Sequence, residues 1–388
     1  MKNFSILLLL LSVLFLSCQK DDEDDLPTTG TPIELSGTQD VPLTLDNRFQ
    51  SATAYDYYVS GTWNLDAAVT IEPGVRIRMN ASARINVRSG GSLAAVGTSD
   101  LPIVFDGEAP TPGYWDYIRF DNSNNPNNKL IHTIIRNGGG NSANAGNAAV
   151  FLQGNSQLVM QHSEVTNSAR YGIRIRQVDG RLNDFSNNKI DNCQLHPISL
   201  ASLRQVSGID GSNNFVGNNT YNSIEVGGSS IDVPFTVKNT VGPINLKGTT
   251  NMSAALTIEP GTTILMGPSA RLNISSSGSI SMIGNPDNII TVTGEQEAKG
   301  YWDYIRIDNS NNPSNEFQYV DISYGGGNSA NAGNANVHIN GSGFLKMGNS
   351  TVSNSARYGL RVRNNDGVYE DLGNNTFFGN ELGDVELP

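Results

Sequence analysis

The sequence predicts an all-β fold, a parallel β-helix (solenoid) made of two duplicated halves. Three observations carry this. Residues 46–200 return at 233–387: 187 residues separate Tyr114-Trp115-Asp116-Tyr117-Ile118-Arg119 from Tyr301-Trp302-Asp303-Tyr304-Ile305-Arg306. The same interval links Thr70–Gly74 to Thr257–Gly261 and Asn141–Ala148 to Asn328–Ala335. A long repeat in constant register marks a solenoid or array. Each half also holds a shorter period. Ile173-Arg174-Ile175 is followed about 25 residues later by Ile198-Ser199-Leu200, and again by Ile224-Glu225-Val226. Val165, Ile190 and Phe215 step likewise, as do Val352 to Phe377 and Leu360 to Val385. Finally, the units are short β-branched runs between Asn, Gly, Ser and Asp turns, with no apolar stripe of helical period.

Strands this short bury their apolar side only by stacking on the next turn of a coil. Alternation assigns the sides: in Gly172-Ile173-Arg174-Ile175-Arg176 the isoleucines point inward and the arginines outward. Asn167, Asn192 and Asn218 recur two residues after a buried apolar position, and Asn354 and Asn380 repeat the pattern. They are expected to form a ladder bonded along the coil, a place where asparagine tolerates left-handed backbone. Roughly 13 or 14 coils at about 4.8 Å per rung make a rod of about 65 Å. Asp384, Glu386 and Pro388 are residues suited to discourage pairing at its last edge.

Ahead of the repeat, Ile6 to Leu16 is an apolar run too short to span a bilayer, ending at Ser17-Cys18. This resembles a bacterial lipoprotein signal, which implies lipidation of Cys18; Phe15 stands where leucine is commoner. The following Gln19-Lys20-Asp21-Asp22-Glu23-Asp24-Asp25 resembles the tag that exports lipoproteins of the Bacteroidetes group to the outer face of the outer membrane. Physically the run is also a self-repelling spacer. The plan is therefore a signal peptide at 1–17, lipidated cysteine and acidic linker at 18–45, the first half with a connecting coil at 46–232, and the second half at 233–388. The expected location is the outer membrane, lipid-anchored and exposed at the cell surface. A net charge of −12 argues against nucleic-acid partners. Of two cysteines only Cys193 remains after acylation, which excludes an intramolecular disulfide and a cysteine-rich metal site. Its counterpart is Asn380, so a buried, inert thiol is the reading.

Thr70-Ile71-Glu72-Pro73-Gly74, Ile85-Asn86-Val87, Gly90-Gly91-Ser92-Leu93-Ala94-Ala95-Val96-Gly97-Thr98, Pro102-Ile103-Val104-Phe105, then Trp115 and Ile118-Arg119-Phe120 form a recognisable series. Together they resemble right-handed parallel β-helix proteins of the pectin-lyase-like class, in the secreted and surface-protein branch. The resemblance covers most of the chain after about residue 45. It implies fold more than activity, because these are turn and core positions. Lyases of this shape pair a calcium-holding acidic group with an Arg or Lys base, and hydrolases use close aspartates. Asp116, Asp121, Asp179, Asp184 and Asp191 are scattered, so no calcium motif, catalytic set or other cofactor is assigned. His132, His162, His196 and His338 fall in no metal spacing and none survives duplication; each reads as a surface or turn histidine.

Two constellations do survive. Trp115, Tyr117 and Arg119, with Trp302, Tyr304 and Arg306, alternate outward if Ile118 and Phe120 face inward. Aromatic faces beside a cation can stack on sugar rings, unless the tryptophan folds back to pack under a loop. Arg170, Tyr171, Arg174 and Arg176 recur as Arg357, Tyr358, Arg361 and Arg363. They could receive uronate or sulfate bidentately, or form salt bridges across coils to Asp179 or Glu164. The small polar loops Asn137–Asn147 and Asn328–Asn334 lie beside them. The resulting expectation is a monomeric surface protein that binds extracellular polysaccharide, or serves adhesion, without chemistry. Two equivalent sites would add avidity on a repeating polymer. The alternatives are a polysaccharide lyase or hydrolase, and a passive stalk.

Overall fold

The computed structural model describes residues 30–141, 143, 146–328 and 334–388. Cys18, the apolar run before it and the acidic run after it lie outside these residues. The described chain is a parallel β-helix, with large all-parallel sheets and almost no helix. Each coil carries three strands, one per face. In one coil these are Arg76–Met79, Arg84–Val87 and Ser92–Val96. The next coil lays Ile103–Gly107, Tyr117–Asp121 and Lys129–Ile131 on them in register. Alternation decides the core as expected: Ile77, Phe105, Ile135, Val165 and Ile190 stack rung over rung, each at most 1% exposed. Gly91 makes the turn into the third face, where a side chain would collide with the Leu65 carbonyl.

Asparagine ladders close the turns. Asn137, Asn167 and Asn192 all have positive φ, and Asn192 donates to Asn167 at 2.9 Å while Asn167 donates to Asn137. Two members of the expected ladder sit elsewhere. The place of Asn192 in the second half is taken by Gly379, also at positive φ. Asn380 matches Asn219 instead: both side chains turn inward, donating to Val352 O and Ile190 O one rung back. Asn218 bonds through its backbone N–H to Asp191. A second, interior ladder runs Ser163, Asn188, Asn213, each accepting from the backbone N–H before it.

The halves are joined with a change of face. The second face of the first half comprises Arg84–Val87, Tyr117–Asp121, Ala148–Gln153, Tyr171–Ile175 and Ile198–Leu200. It continues through Ile224–Val226 and Ile244–Leu246 into Thr263–Met266 and Ile290–Gly294. By the repeat, those last strands correspond to the first face, not the second. The first-face column of the first half ends after Lys189–Asp191, with one bridge to Asn214. A new column opens at Ser230–Ile231 and runs through Thr249–Met252, Arg271–Ile274 and Tyr304–Asp308. On the third face a 3-10 helix, Leu203–Gly208, capped by Ser202 and Gln205, lies between Arg181–Ser186 and Phe235–Val237. First-face strands of the second half therefore continue the second-face column of the first, and its second-face strands occupy the new column, while the third face follows on through the 3-10 helix.

The register also differs at the start of the repeat. Leu45 pairs with Ile71 as Val237 pairs with Ile258, yet 192 residues separate Leu45 from Val237 and 187 separate Ile71 from Ile258. The first half thus carries five extra residues in the loop 48–56.

Candidate functional site

Of the two readings of the first constellation, the one in which the tryptophan folds back under a loop is observed, and the outward tryptophan is corrected. Trp115 and Trp302 are fully buried, and Tyr117 and Tyr304 are 3% and 4% exposed. Trp115 lies under Gly138 and donates from Nε1 to Arg136 O at 2.7 Å; Trp302 lies under Gly325 and donates to Ser323 O at 2.8 Å. Tyr117 does point away from the core. Its ring is flanked by the guanidinium groups of Arg84 and Arg119, at 5.8 and 5.4 Å, and Gly146 closes over it. Tyr304 repeats this between Arg271 and Arg306. Arg119 and Arg306 pair with Asp121 and Asp308, each at 3.3 Å. Buried Asp116 meets Arg84 at 2.8 Å; burial raises its pKa, and the arginine opposes that. These aromatics and cations hold residues 138–141 and 146 in the first half, and 325–328 in the second, onto the coil. Residues 142, 144, 145 and 329–333 of the loops 137–147 and 324–334 lie outside the described set.

The second constellation remains at the surface. Arg170, Tyr171 and Arg174 are partly exposed and Arg176 is exposed; Arg357, Tyr358, Arg361 and Arg363 follow suit. Among the described residues these arginines form no salt bridge to Asp179 or Glu164, and Glu164 pairs with Lys189 at 3.6 Å. Arg174 instead donates to Asn147 and lies 5.5 Å from the Tyr171 ring, and Arg361 donates to Asn334 at 2.6 Å. Beyond this the halves part. Opposite Arg174 stands Ser199, then Glu225; opposite Arg361 stands Glu386.

The change of face turns the first-half copy into a site. Arg174, Arg176, Ser199, Glu225, Gly227 and Lys247 line a cleft of about 290 Å³, beside the point where the new column opens. Glu225 sits at its centre, accepting from Tyr171 Oη at 2.9 Å and Ser199 Oγ at 3.0 Å. His196 Nε2 approaches the same carboxylate at 3.4 Å, while Nδ1 lies 3.1 Å from Ser223 O. Burial depresses the His196 pKa and the Glu225 charge opposes that, with depression prevailing. Burial and Glu225 together push the Tyr171 hydroxyl up to about 12. The imidazole stacks on Tyr221 at 4.6 Å and Tyr171 at 6.3 Å. Tyr221 is 47% exposed and offers a ring face to solvent. On the far side Lys247 reaches Glu295 at 2.7 Å; burial would raise that carboxylate, but hydrogen bonds from Lys247 and Asn245 lower it overall.

Repeat logic missed part of this site. Tyr221 lies in the connecting coil, where the duplication says nothing; Lys247 aligns with Ser60 and His196 with Gly383, so neither survives the duplication. The surface-or-turn reading is corrected for two histidines: His196 is 4% exposed, and His338 is fully buried in the row between Arg306 and Arg361. His132 and His162 are turn residues of positive φ stacked at 4.8 Å. Cys193 is a buried thiol whose pKa burial pushes up to about 12. Among the described residues, no group of three His, Cys, Asp or Glu could hold a metal, and no helix is long and apolar enough to cross a membrane. Comparison with protein families, with curated proteins and with solved structures finds no match to this chain.

Proposed function

We propose that this chain is a surface-exposed β-helix protein, anchored in the outer membrane by lipid on Cys18, that binds acidic extracellular glycan without chemistry. The observation that carries the reading is the junction cleft. On a chain of net charge −12 it gathers Arg174, Arg176 and Lys247 around hydrogen-bonding Ser199 and Glu225, near the exposed ring of Tyr221. Guanidinium groups receive carboxylate or sulfate in a planar, bidentate manner, and an aromatic face takes the apolar side of a sugar ring. Glu225 would accept from sugar hydroxyls, leaving Arg174 and Arg176 for the acidic groups, with Lys247 shared with Glu295. The lipoprotein-like start and the resemblance to surface β-helices of the pectin-lyase-like class support the location.

The test is a polysaccharide panel run against the full chain, with bound polymers assayed for unsaturated or reducing-end products. Binding of uronate- or sulfate-bearing polymers, lost in Tyr221→Ala and in Arg174→Ala/Lys247→Ala, is the expected result. One observation favours a second reading: Glu225 is a carboxylate held by three side chains and open to the cleft, as an acid or base would be. Products that vanish in Glu225→Gln would move the protein to the lyases or hydrolases. Absence of any binding would leave a stalk.

A further inference from the structure

The two halves share their core, their turns and their loop-holding arginines, but differ on one face. On the first-face strands of the first half the outward residues are Arg76 and Arg78, Val104 and Asp106, Ile134 and Arg136. In the second half the same places hold Thr263 and Leu265, Thr291 and Thr293, Asp321 and Ser323. The inward partners stay apolar in both, Ile77, Phe105 and Ile135 against Ile264, Val292 and Ile322, all buried. Packing therefore does not require the difference. It is confined to the solvent side.

On that face the first half has a groove of about 360 Å³. Its apolar surface comes from Leu101 and Ile134 with Val104, 2% exposed, behind them, and Arg76 and Arg136, two strands apart, bring the cations. The five-residue-longer loop supplies a wall with Gln50, Ser51 and Ala52. This wall is fixed. Asp56, 1% exposed, accepts from the backbone N–H of Arg48 at 2.8 Å and of Phe49 at 3.0 Å, and with its other oxygen from Arg76 N at 2.9 Å. Phe49 anchors the loop at 3% exposed.

The two arginines share one carboxylate, Asp106. Arg136 reaches Asp106 only at 3.9 Å, and Asn137 also donates to that carboxylate, at 2.7 Å. The guanidinium of Arg76 lies 5.3 Å from the Tyr55 ring, and its Nε is buried without a hydrogen-bond partner among the described residues. Asp100 stands exposed on the rim, but Asp287 keeps its charge in the second half, so it is not part of the difference.

We propose that this groove is a second binding site, independent of the junction cleft, for a small amphipathic carboxylate: the anion between Arg76 and Arg136, the apolar body on Leu101 and Ile134. An apolar floor with a few convergent polar groups is the usual form of a small-molecule site. A guanidinium group selects a carboxylate over its neutral isostere.

Phenylacetate and its neutral amide, phenylacetamide, are titrated into the full chain by calorimetry and ligand-observed NMR. Phenylacetate is expected to bind saturably, and the amide at least roughly tenfold more weakly. The variants Arg76→Thr and Arg136→Ser install the residues of the second half, which the same coil already accommodates; together they are expected to abolish the preference. Ile134→Asp, also a second-half residue, places a like charge on the floor and is expected to weaken phenylacetate further than the amide. Should Arg76→Thr loosen the loop through Tyr55, Arg136→Ser and Ile134→Asp still decide the matter. The junction variant Arg174→Ala/Lys247→Ala is expected to leave phenylacetate binding unchanged, which separates the two sites. Absence of saturable binding, equal affinity for acid and amide, or indifference to Arg136→Ser and Ile134→Asp would overturn the proposal.

Discussion

At the level of single residues, outward is not the same as exposed. Alternation correctly places Tyr117 on the outer side of its strand, but a loop closes over that side and buries it, and the loop's path is not written in the period of the strand. Trp115 illustrates the same limit: burial of its large ring is favoured wherever a glycine such as Gly138 lets backbone approach it. His196 is the residue whose surroundings make the sharpest prediction. It faces Glu225, Tyr171, Tyr221 and Lys247, with Glu295 nearby, and its neutral ring has one N–H to share between Ser223 O and the Glu225 carboxylate. Its folded pKa is depressed, so the unfolded chain binds the proton more readily. The stability it contributes is present above the ordinary histidine pKa and is lost as pH falls through the folded value. Thermal melts at pH 7.5 and pH 5.0 should therefore show a larger loss of Tm in the wild type than in His196→Gln. An equal loss would place the acid sensitivity elsewhere.

At the level of elements, the coil was legible because each strand obeys a period of two and each turn uses Asn or Gly. Finer placement was not, because adjacent asparagines in one turn do different work. Asn192 bonds outward along an exposed ladder; its neighbour in the next rung, Asn219, turns inward, and only the backbone distinguishes them. The interior ladder matters more for stability. Asn188, 1% exposed, donates to Met160 O at 2.8 Å and accepts from Ser163 N at 3.1 Å. Asn188→Ala leaves both backbone groups buried and unmade, at a cost of roughly 2–4 kcal/mol. Asn192→Gly, by contrast, reproduces Gly379 of the second half and should change stability by less than about 1 kcal/mol. Denaturant unfolding of the two variants measures the gap; similar losses would mean that the inner ladder bears no special load.

At the level of the whole molecule, duplication and geometry pull apart. The sequence shows that constellations occur twice, and avidity on a polymer follows if they share a face. They do not: the second-face column of the first half runs into the first-face column of the second, so Arg174 and Arg361 look out from different sides of the coil. Nothing in the local pattern announces this, since the shift is made by a connecting coil with no repeat to compare. The same coil brings Glu225 and Lys247 beside Arg174 and Arg176, whereas Arg361 is met by Glu386. One acidic glycan chain per protein is therefore expected, read as stoichiometry by calorimetry with a short acidic oligosaccharide. Arg174→Ala/Lys247→Ala should weaken it roughly tenfold or more, since charge-assisted hydrogen bonds contribute about 1.5–3 kcal/mol each. Arg361→Ala/Arg363→Ala should leave affinity within roughly twofold, because a partly exposed pair opposite a carboxylate contributes about 0–1 kcal/mol. A stoichiometry of two, with both pairs of variants equally damaging, would restore the duplicated site and remove the junction from the mechanism.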